Sequence, residues 1–438
     1  MKLTFCTAFL SCLLVLTSMK AQESFSSFQE LADQYLPQSY LHQNNQLLQR
    51  QAEKEKEWAI YELLAPSGGI FSSYTNNTRL PVSLIPSEIL GGSAGTFEQV
   101  RFGQKYVTEV NAYAEIQLLN LSGWENLNYA NTLLEQTKSN NKLSIKSRRE
   151  NLATVYYNIL ELQEQLKALQ KNKTAADTLY RITQNKYDEG LVNAQSLRKS
   201  QLNTLQIELS IGEVENAIQQ WYLLLKTRCD LAPSANIQIN QIVDTSALLT
   251  AVPIRENTLS QSNALLNVQA AESALRSSKL AFAPTLSFFA NYLLQGNNNQ
   301  ANIFSDQATW INSDAIGLKL SIPIPSASTI KQKVRAEYDY QIAKNQASQA
   351  TLQARQQTQQ LQLDLDQAQL QYEYHQKQYQ LFTSIYEKQL LNYRAGLLGL
   401  ADTIDSFNEM TDSHRQLVAA AVSILKAQTN IEINNTIN

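Results

Sequence analysis

The sequence has 438 residues, with 36 Lys and Arg against 39 Asp and Glu, and a formal net charge of −3 at neutral pH. It contains no basic cluster, so nucleic acid is not expected as a partner. Two of its three cysteines, Cys6 and Cys12, lie close to the start, and Cys229 stands alone. A fold held together by disulfides is therefore excluded.

Residues 1–21 have the layout of a secretory leader. Lys2 supplies the positive charge at the start, residues 3–16 form an apolar core, and residues 18–21 form a short cleavage region before Gln22. We expect cleavage after Ala21. Cys12 lies inside the apolar core, which fits a lipid-attachment site poorly. The leader predicts export and nothing more, because a soluble periplasmic protein would carry the same signal.

The two halves of the chain repeat one pattern, which favours a duplicated unit over two unrelated ones. Nine positions recur 218 residues later: Asn45, Leu47, Leu48, Gln51, Ala52, Ala65, Pro66, Phe71 and Tyr74 match Asn263, Leu265, Leu266, Gln269, Ala270, Ala283, Pro284, Phe289 and Tyr292. Further on, Tyr187, Gly190 and Leu191 recur as Tyr393, Gly396 and Leu397. We therefore divide the exported chain into two structural repeats, residues 22–235 and 236–438.

Each half is predicted to begin with a helix that ends near a proline and to continue as two strands. The helices cover residues 28–64 and about 260–281. The predicted strands are residues 69–74 and 106–119 in the first half, and residues 285–294 and 316–324 in the second. Apolar and polar residues alternate over residues 316–324. The longer first half is explained by a loop rich in Gly and Pro over residues 72–104.

Very long helices are predicted next, because neither Gly nor Pro occurs in residues 124–189 or 326–395. At 1.5 Å per residue each run would be roughly 100 Å long. The second run carries a narrow apolar stripe typical of lateral helix packing: Leu361, Leu365, Ala368, Tyr372, Tyr379, Phe382, Tyr386 and Tyr393. Return helices over residues 193–230 and 400–430 complete one helical hairpin in each half.

The number of strands limits the possible architectures. Four strands cannot close a transmembrane barrel, because the smallest ones need about eight, whereas three copies would supply about 12. Long helices with narrow apolar stripes suit a thin-walled tube with water on both sides. The predicted fold class is mainly α with a small β part. It combines an α-barrel of long antiparallel hairpins, a trimeric 12-stranded β-barrel with four strands per chain, and an internal two-fold repeat.

This order of elements, present twice, resembles the TolC family of outer-membrane efflux proteins over essentially the whole exported chain. The segment from Ala283 to Tyr292 resembles the family's entry into the barrel, and Leu318 to Ile324 resembles its strand exit. The resemblance implies a homotrimer that spans the outer membrane, contacts its lipid, and extends a tube into the periplasm. It also implies a periplasmic membrane-fusion adaptor and an inner-membrane pump of RND or ABC type, in tripartite efflux or type I secretion.

The two predicted hairpin tips are Gly190-Leu191 and Gly396-Leu397. Glycine permits a tight turn between helices, and the following leucine offers an apolar contact. The resemblance implies that the adaptor binds here. From the residues alone, a simple interhelical turn without a partner is the favoured interpretation.

Asp402 and Asp405 lie three residues apart and therefore on one face of the last helix. In a trimer they would form two rings of three carboxylates that attract cations. The resemblance implies a periplasmic gate at these positions and at Tyr393; the alternative is that the carboxylates stabilise the start of a helix. Ser196 and Leu398 replace the charged gate residues of the best-studied family type, so the gate is expected to be held otherwise or less firmly.

No catalytic, cofactor or metal site is predicted. His42, His375 and His414 are isolated, without partners at ligand spacing, and neither a phosphate loop nor a nucleophile motif stands out. The alternative to a channel is a secreted periplasmic coiled-coil scaffold. That alternative explains the leader and the helices, but not the strand pairs placed equivalently in both halves.

Overall fold

A computed structural model describes residues 23–243, 252–256, 259–302, 305–306 and 308–437. The predicted leader, residues 1–21, lies outside the described residues. In chain order the elements are β1 (Glu23–Phe25), α1 (Phe28–Tyr35), α2 (Tyr40–Leu64), β2 (Ser67–Asn76), β3 (Val82–Pro86), β4 (Phe97–Arg101), β5 (Tyr106–Leu119), α3 (Leu121–Asp188), α4 (Ala194–Arg228), β6 (Ile237–Ile239), α5 (Leu259–Leu280), β7 (Thr285–Asn298), β8 (Thr309–Ser321), α6 (Ala327–Arg394) and α7 (Leu400–Thr436).

The chain divides into two compact units. The helical unit contains the described residues up to Leu48, Lys138–Asn263 and those from Ser348 onwards, and the sheet unit contains Gln49–Thr137 and Ala264–Ala347. Each unit takes residues from both halves of the sequence. Both halves must therefore be present before either unit is complete.

The sheet unit holds a four-stranded antiparallel sheet with the strand order β2–β5–β7–β8. All four strands match segments predicted from the sequence. Together with the long helices, this sheet confirms the predicted mainly helical class with a small β part. β2 and β8 are its two edges, and both are almost entirely exposed.

The two faces of this sheet differ in chemistry. Its register aligns Ile70, Ala112, Tyr292 and Asp314 in one row, and side chains alternate between faces along each strand. The face that carries this row, here called the apolar face, bears most of the large exposed apolar side chains: Ile70, Tyr74, Phe288, Tyr292, Ile316, Leu318 and Leu320. The opposite, polar face carries Glu109, Glu115 and Lys319, although Phe71 and Ile311 also lie there.

Some predicted boundaries were wrong. The first helix is interrupted at Leu36–Gln38 by a 3₁₀ turn, because Pro37 has no backbone N–H and disfavours helical backbone at the residue before it. The predicted loop over residues 72–104 contains the end of β2 and a separate β3–β4 hairpin. β8 ends at Ser321, where its register with Thr285 at the start of β7 runs out.

The main core of the helical unit surrounds α3. Phe25, Leu31, Tyr156, Leu225 and Ile239 are all at most 2% exposed, and burial of each such side chain contributes about 1.5–3 kcal/mol. The core also includes the short parallel pair β1–β6, which the sequence did not predict. Farther along the helices, smaller separate clusters take over, as expected for a thin wall. Among the described residues, no helix is both long and apolar enough to cross a membrane.

Candidate functional site

The first hairpin tip joins α3 to α4 through a backbone turn that depends on glycine. Gly190 has a φ of 74°, a region that costs a residue with a side chain roughly 1–2 kcal/mol. Its N–H donates to the Tyr187 carbonyl at 2.9 Å, and the Leu191 N–H donates to the Lys186 carbonyl at 2.8 Å. These two bonds satisfy carbonyls at the end of α3 and form a Schellman cap.

The second tip, between α6 and α7, repeats this geometry. Gly396 has a φ of 76°, its N–H donates to the Tyr393 carbonyl at 3.1 Å, and the Leu397 N–H donates to the Asn392 carbonyl at 2.9 Å. No atom lies within 4 Å of a Cβ added at Gly190 or Gly396. The glycines are therefore required by backbone conformation, and not by crowding.

The leucine that follows each glycine projects into solvent. Leu191 is 66% exposed and Leu397 is 79% exposed, so neither contributes to the core of its own chain. A hydrophobic contact often accompanies a cap of this kind, but here the side chains remain available to another surface. The structure thus places the four predicted tip residues in two equivalent turns, each presenting an apolar side chain.

Tyr393 connects the second hairpin to α3. Its side chain is only 2% exposed and packs with Leu179 and Leu400. Its hydroxyl lies 3.0 Å from that of Thr183, which itself donates to the Leu179 carbonyl. The Tyr393 hydroxyl is therefore the donor to Thr183. Burial raises the pKa of Tyr393 above its usual value, which keeps that proton in place.

Lys186 adds a second link between the same helices. Its Nζ donates to the Tyr393 carbonyl at 2.6 Å and lies 4.8 Å from the centroid of the Tyr393 ring. The cation thus sits among the carbonyls at the ends of two helices, where positive charge is stabilising. Sequence reasoning missed Lys186 and Thr183. The signal for Lys186 was its place in the last turn of a helix that ends at Gly190.

Asp402 and Asp405 lie in the first turns of α7, and both are exposed. The side chains between and beside them, Thr403, Ser406 and Phe407, are buried against the rest of the helical unit. Within the described ranges neither carboxylate takes part in a hydrogen bond or ion pair. The two aspartates therefore share a free face, while Asp402 also carries charge at a helix start, where a negative group is favourable.

The two departures from the family pattern have local roles. The Ser196 N–H and hydroxyl donate to the Asn193 side chain at 2.9 and 3.1 Å, which caps the start of α4. Leu398 is half-buried beside the second tip. Neither residue carries charge, and at this end Tyr393 supplies polar links between the hairpins through its contacts with Thr183 and Lys186.

The three histidines make separate local contacts and do not form a common site. His42 bonds to Gln46 and His375 to Gln378, each one turn away on the same helix. The ring of His414 stacks on Tyr379 with 4.4 Å between centroids, and burial followed by the nearby charge of Lys171 lowers its pKa. The described part of the chain contains no group of three or more potential metal ligands.

No protein-family model matches the sequence, and no curated protein does. The structure is similar to that of the outer-membrane protein VceC from Vibrio cholerae, with a TM-score of 0.73, 15% identity, and coverage of 92% of this chain and 95% of that one. It is also similar to the Campylobacter jejuni CmeC outer-membrane channel (TM-score 0.67, 15% identity, coverage 93% and 85%) and to the open state of the Neisseria gonorrhoeae MtrE outer-membrane channel (0.71, 13%, 93% and 88%). The chain therefore has the fold of the TolC-family outer-membrane channels.

Proposed function

We propose that this protein is the outer-membrane channel of a tripartite efflux or type I secretion system, a passive duct without enzymatic activity. The observation that carries the proposal is an open four-stranded sheet, apolar on one face and polar on the other, on a chain that also forms two long helical hairpins. A sheet of this kind suits lipid on one side and water on the other. Export by the leader, residues 1–21, would deliver the chain to the periplasm, from which the sheet would enter the outer membrane.

The proposed assembly is a homotrimer. An open sheet edge cannot remain unpaired in lipid, because its N–H and C=O groups would have no partners. Three copies would give about 12 strands, enough to close around a lumen. Residues 22–235 and 236–438 would be two copies of one ancestral unit, supported by the repeated order of elements and by the matching caps at Gly190 and Gly396.

The proposed partners bind at the helical tips. The exposed Leu191 and Leu397 would fit apolar grooves on a periplasmic membrane-fusion adaptor, which in turn would connect the duct to an inner-membrane pump of RND or ABC type. Both leucines follow a rigid cap, so they are presented without a large loss of conformational entropy. This arrangement supplies six equivalent apolar contacts in a trimer, two per chain.

The proposed gate lies near the second tip. Tyr393 would keep the second hairpin against α3 and so keep the periplasmic mouth narrow, while Asp402 and Asp405 would face the lumen as rings of carboxylates. Their free, exposed face on α7 supports this role.

Two measurements on the full-length protein test the proposal. Expressed in a Gram-negative host, the protein should remain in the membrane fraction after a carbonate wash, because a closed barrel is embedded in lipid. Purified in detergent and added to a planar bilayer, it should produce single-channel currents. A periplasmic coiled-coil scaffold would wash off and conduct nothing, and either result would refute the channel.

A further inference from the structure

The two free edges of the sheet indicate how neighbouring copies pair, an inference that rests on the proposed trimer. β2 and β8 are the edges, and each neighbouring pair in the order β2–β5–β7–β8 is antiparallel. β8 therefore runs opposite to β2. The β2 strand of a second copy can add to β8 with the same antiparallel geometry as the rest of the sheet.

The tilt of a barrel determines how far the second copy is displaced along the strands. A rise of about 3.3 Å per residue, a strand spacing of about 4.8 Å and a tilt of about 45° correspond to a total stagger of roughly 17 residues around 12 strands. Three-fold symmetry makes the total three times the displacement per copy. The displacement per copy must be an even number of residues, because side chains alternate between faces, so only every sixth value of the total is allowed. A tilt of about 45° is closest to a total of about 18, or about six residues per copy, whereas a tilt of about 35–40° is closest to about 12, or about four residues per copy.

The extents of the strands give the direction of this displacement. Without stagger, the row that ends at Asp314 would continue with the neighbouring copy's Ile70. A displacement of about six residues in one direction would place Leu64, which belongs to α2, beside Asp314. It would leave only residues 309–311 of β8 beside β2. Six residues in the other direction place Asn76 beside Asp314 and align all of β2 with residues 314–323.

The side chains that meet in this register are complementary. Asn76 and Asp314 are both exposed on the apolar face, and within the described ranges neither side chain takes part in a hydrogen bond or ion pair. An amide donates and a carboxylate accepts, and such charge-assisted bonds are the stronger kind. A stagger of four would place Tyr74 beside Asp314 instead, but the Tyr74 hydroxyl already donates to the Ala301 carbonyl at 2.9 Å.

We infer that the barrel closes with the neighbouring copy's Asn76 beside Asp314, its side-chain amide donating to the carboxylate. Three such bonds would form in the trimer, one at each junction between copies. In the same register Ile70 of the neighbouring copy lies beside Leu320, so apolar side chains also meet along this junction, next to the end of β8. A polar pair at each junction would also fix the register, which apolar side chains alone specify weakly.

Disulfide trapping tests the register in the full chain. Cys229 is buried and is first replaced by alanine, so that once the leader with Cys6 and Cys12 has been cleaved only the introduced thiols can react. Asp314→Cys is then combined with Asn76→Cys, with Tyr74→Cys for a stagger of four, or with Ile70→Cys for no stagger. Facing residues lie about 4.5–5.5 Å apart between Cα atoms, within disulfide reach, whereas residues one step along the same face lie about 7–8 Å apart, beyond it.

The Asn76→Cys pair should yield mainly covalent trimers on a denaturing gel, and these should disappear on reduction. A higher yield from the Tyr74 or Ile70 pair would overturn the register. So would the absence of cross-links from all three pairs in a protein that light scattering shows to be trimeric. A monomer in detergent would instead refute the trimer of the proposed function, and the register with it.

Charge exchange provides a second readout that needs no thiols. Asn76→Asp would place two carboxylates together at each junction, and heat-resistant trimers should be lost from gels. Asn76→Asp combined with Asp314→Asn restores one donor and one acceptor and should recover them. If Asn76→Asp alone leaves the trimer unchanged, the pairing is wrong.

Discussion

Tyr393 makes two polar contacts between the two hairpins. Its hydroxyl donates to Thr183 inside a packed cluster, and Lys186 binds its carbonyl. A buried polar group that loses its partner costs about 1–3 kcal/mol. Substitution of Tyr393 or of Thr183 can therefore measure how much each hydroxyl contributes to the free energy of unfolding.

Tyr393→Phe and Thr183→Val should each lower the free energy of unfolding by about 1 kcal/mol or more. The double variant should be less destabilised than the sum of the two, because it leaves no unpaired hydroxyl, with a coupling of about 0.5 kcal/mol or more. Denaturant unfolding gives the energies. If the mouth is held by this bond, single-channel recordings should also show more frequent opening in Tyr393→Phe. Strictly additive energies would contradict the contact.

His414 makes the stability of the helical unit depend on pH. Burial lowers its pKa in the folded chain below the ordinary histidine value of about 6.5, so protonation favours the unfolded state. The associated stability is complete above the unfolded pKa of about 6.5 and is lost as pH falls below it toward the depressed folded pKa. The groups nearest to the ring include Tyr379 and Lys171.

His414→Gln should therefore reduce the loss of thermal stability between about pH 7.5 and about pH 5.5. Circular dichroism at both pH values measures the change in melting temperature for each protein. His42→Gln, at a half-buried histidine outside the Tyr379 stack, serves as the matched control for replacing a histidine by glutamine. An equal loss in the parent and in His414→Gln would show that His414 does not contribute to the pH dependence of stability.

At the scale of elements, the two hairpin tips have the same local structure. Each ends a long helix with the same two backbone bonds and exposes one leucine. Leu191→Glu and Leu397→Glu should abolish co-purification of the adaptor, because a carboxylate would be buried in an apolar contact. Trimers should persist, since neither side chain packs within its own chain.

Leu191→Met and Leu397→Met serve as the matched control for this experiment. They keep the apolar volume, so co-purification should stay close to the parent level. Size-exclusion chromatography with light scattering verifies the trimer in every variant. If the adaptor still binds the glutamate variants, the tips are only turns between helices.

The long elements were predictable because their signals are strong over many residues. The runs without Gly or Pro became α3 and α6, and the alternating pattern beginning at Ile316 became the end of β8. The β1–β6 pair was not predictable, because three residues carry too little periodicity and their partners lie more than 200 positions apart. The β3–β4 hairpin was hidden by the glycines and prolines of its own turns.

The candidate site was only partly predictable for a related reason. Gly190 and Gly396 announce their turns by residue type alone, since a positive φ favours glycine. The link from Tyr393 to Thr183 depends instead on which faces of two distant helices meet, with 210 residues between them. Local patterns do not contain that information.

At the scale of the whole molecule, the aspartates on α7 acquire meaning only in an assembly. In the proposed trimer, one exposed pair per chain would become two rings of carboxylates around the three-fold axis. Asp402→Asn with Asp405→Asn should then lower the cation preference of the channel, measured as the reversal potential across a salt gradient. Asp412→Asn is the control, because Arg415 already neutralises that carboxylate. An unchanged reversal potential in the double variant would remove the rings.

The open edges of the sheet have a consequence for biogenesis. A newly exported chain carries two long strands, β2 and β8, with unpaired backbone groups on their free sides, and such edges promote aggregation. Assembly competes with this aberrant association and depends on subunit concentration, so a low expression level should slow maturation. A periplasmic chaperone that shields β2 or β8 until insertion would relieve that competition, and its loss should cause the precursor to precipitate.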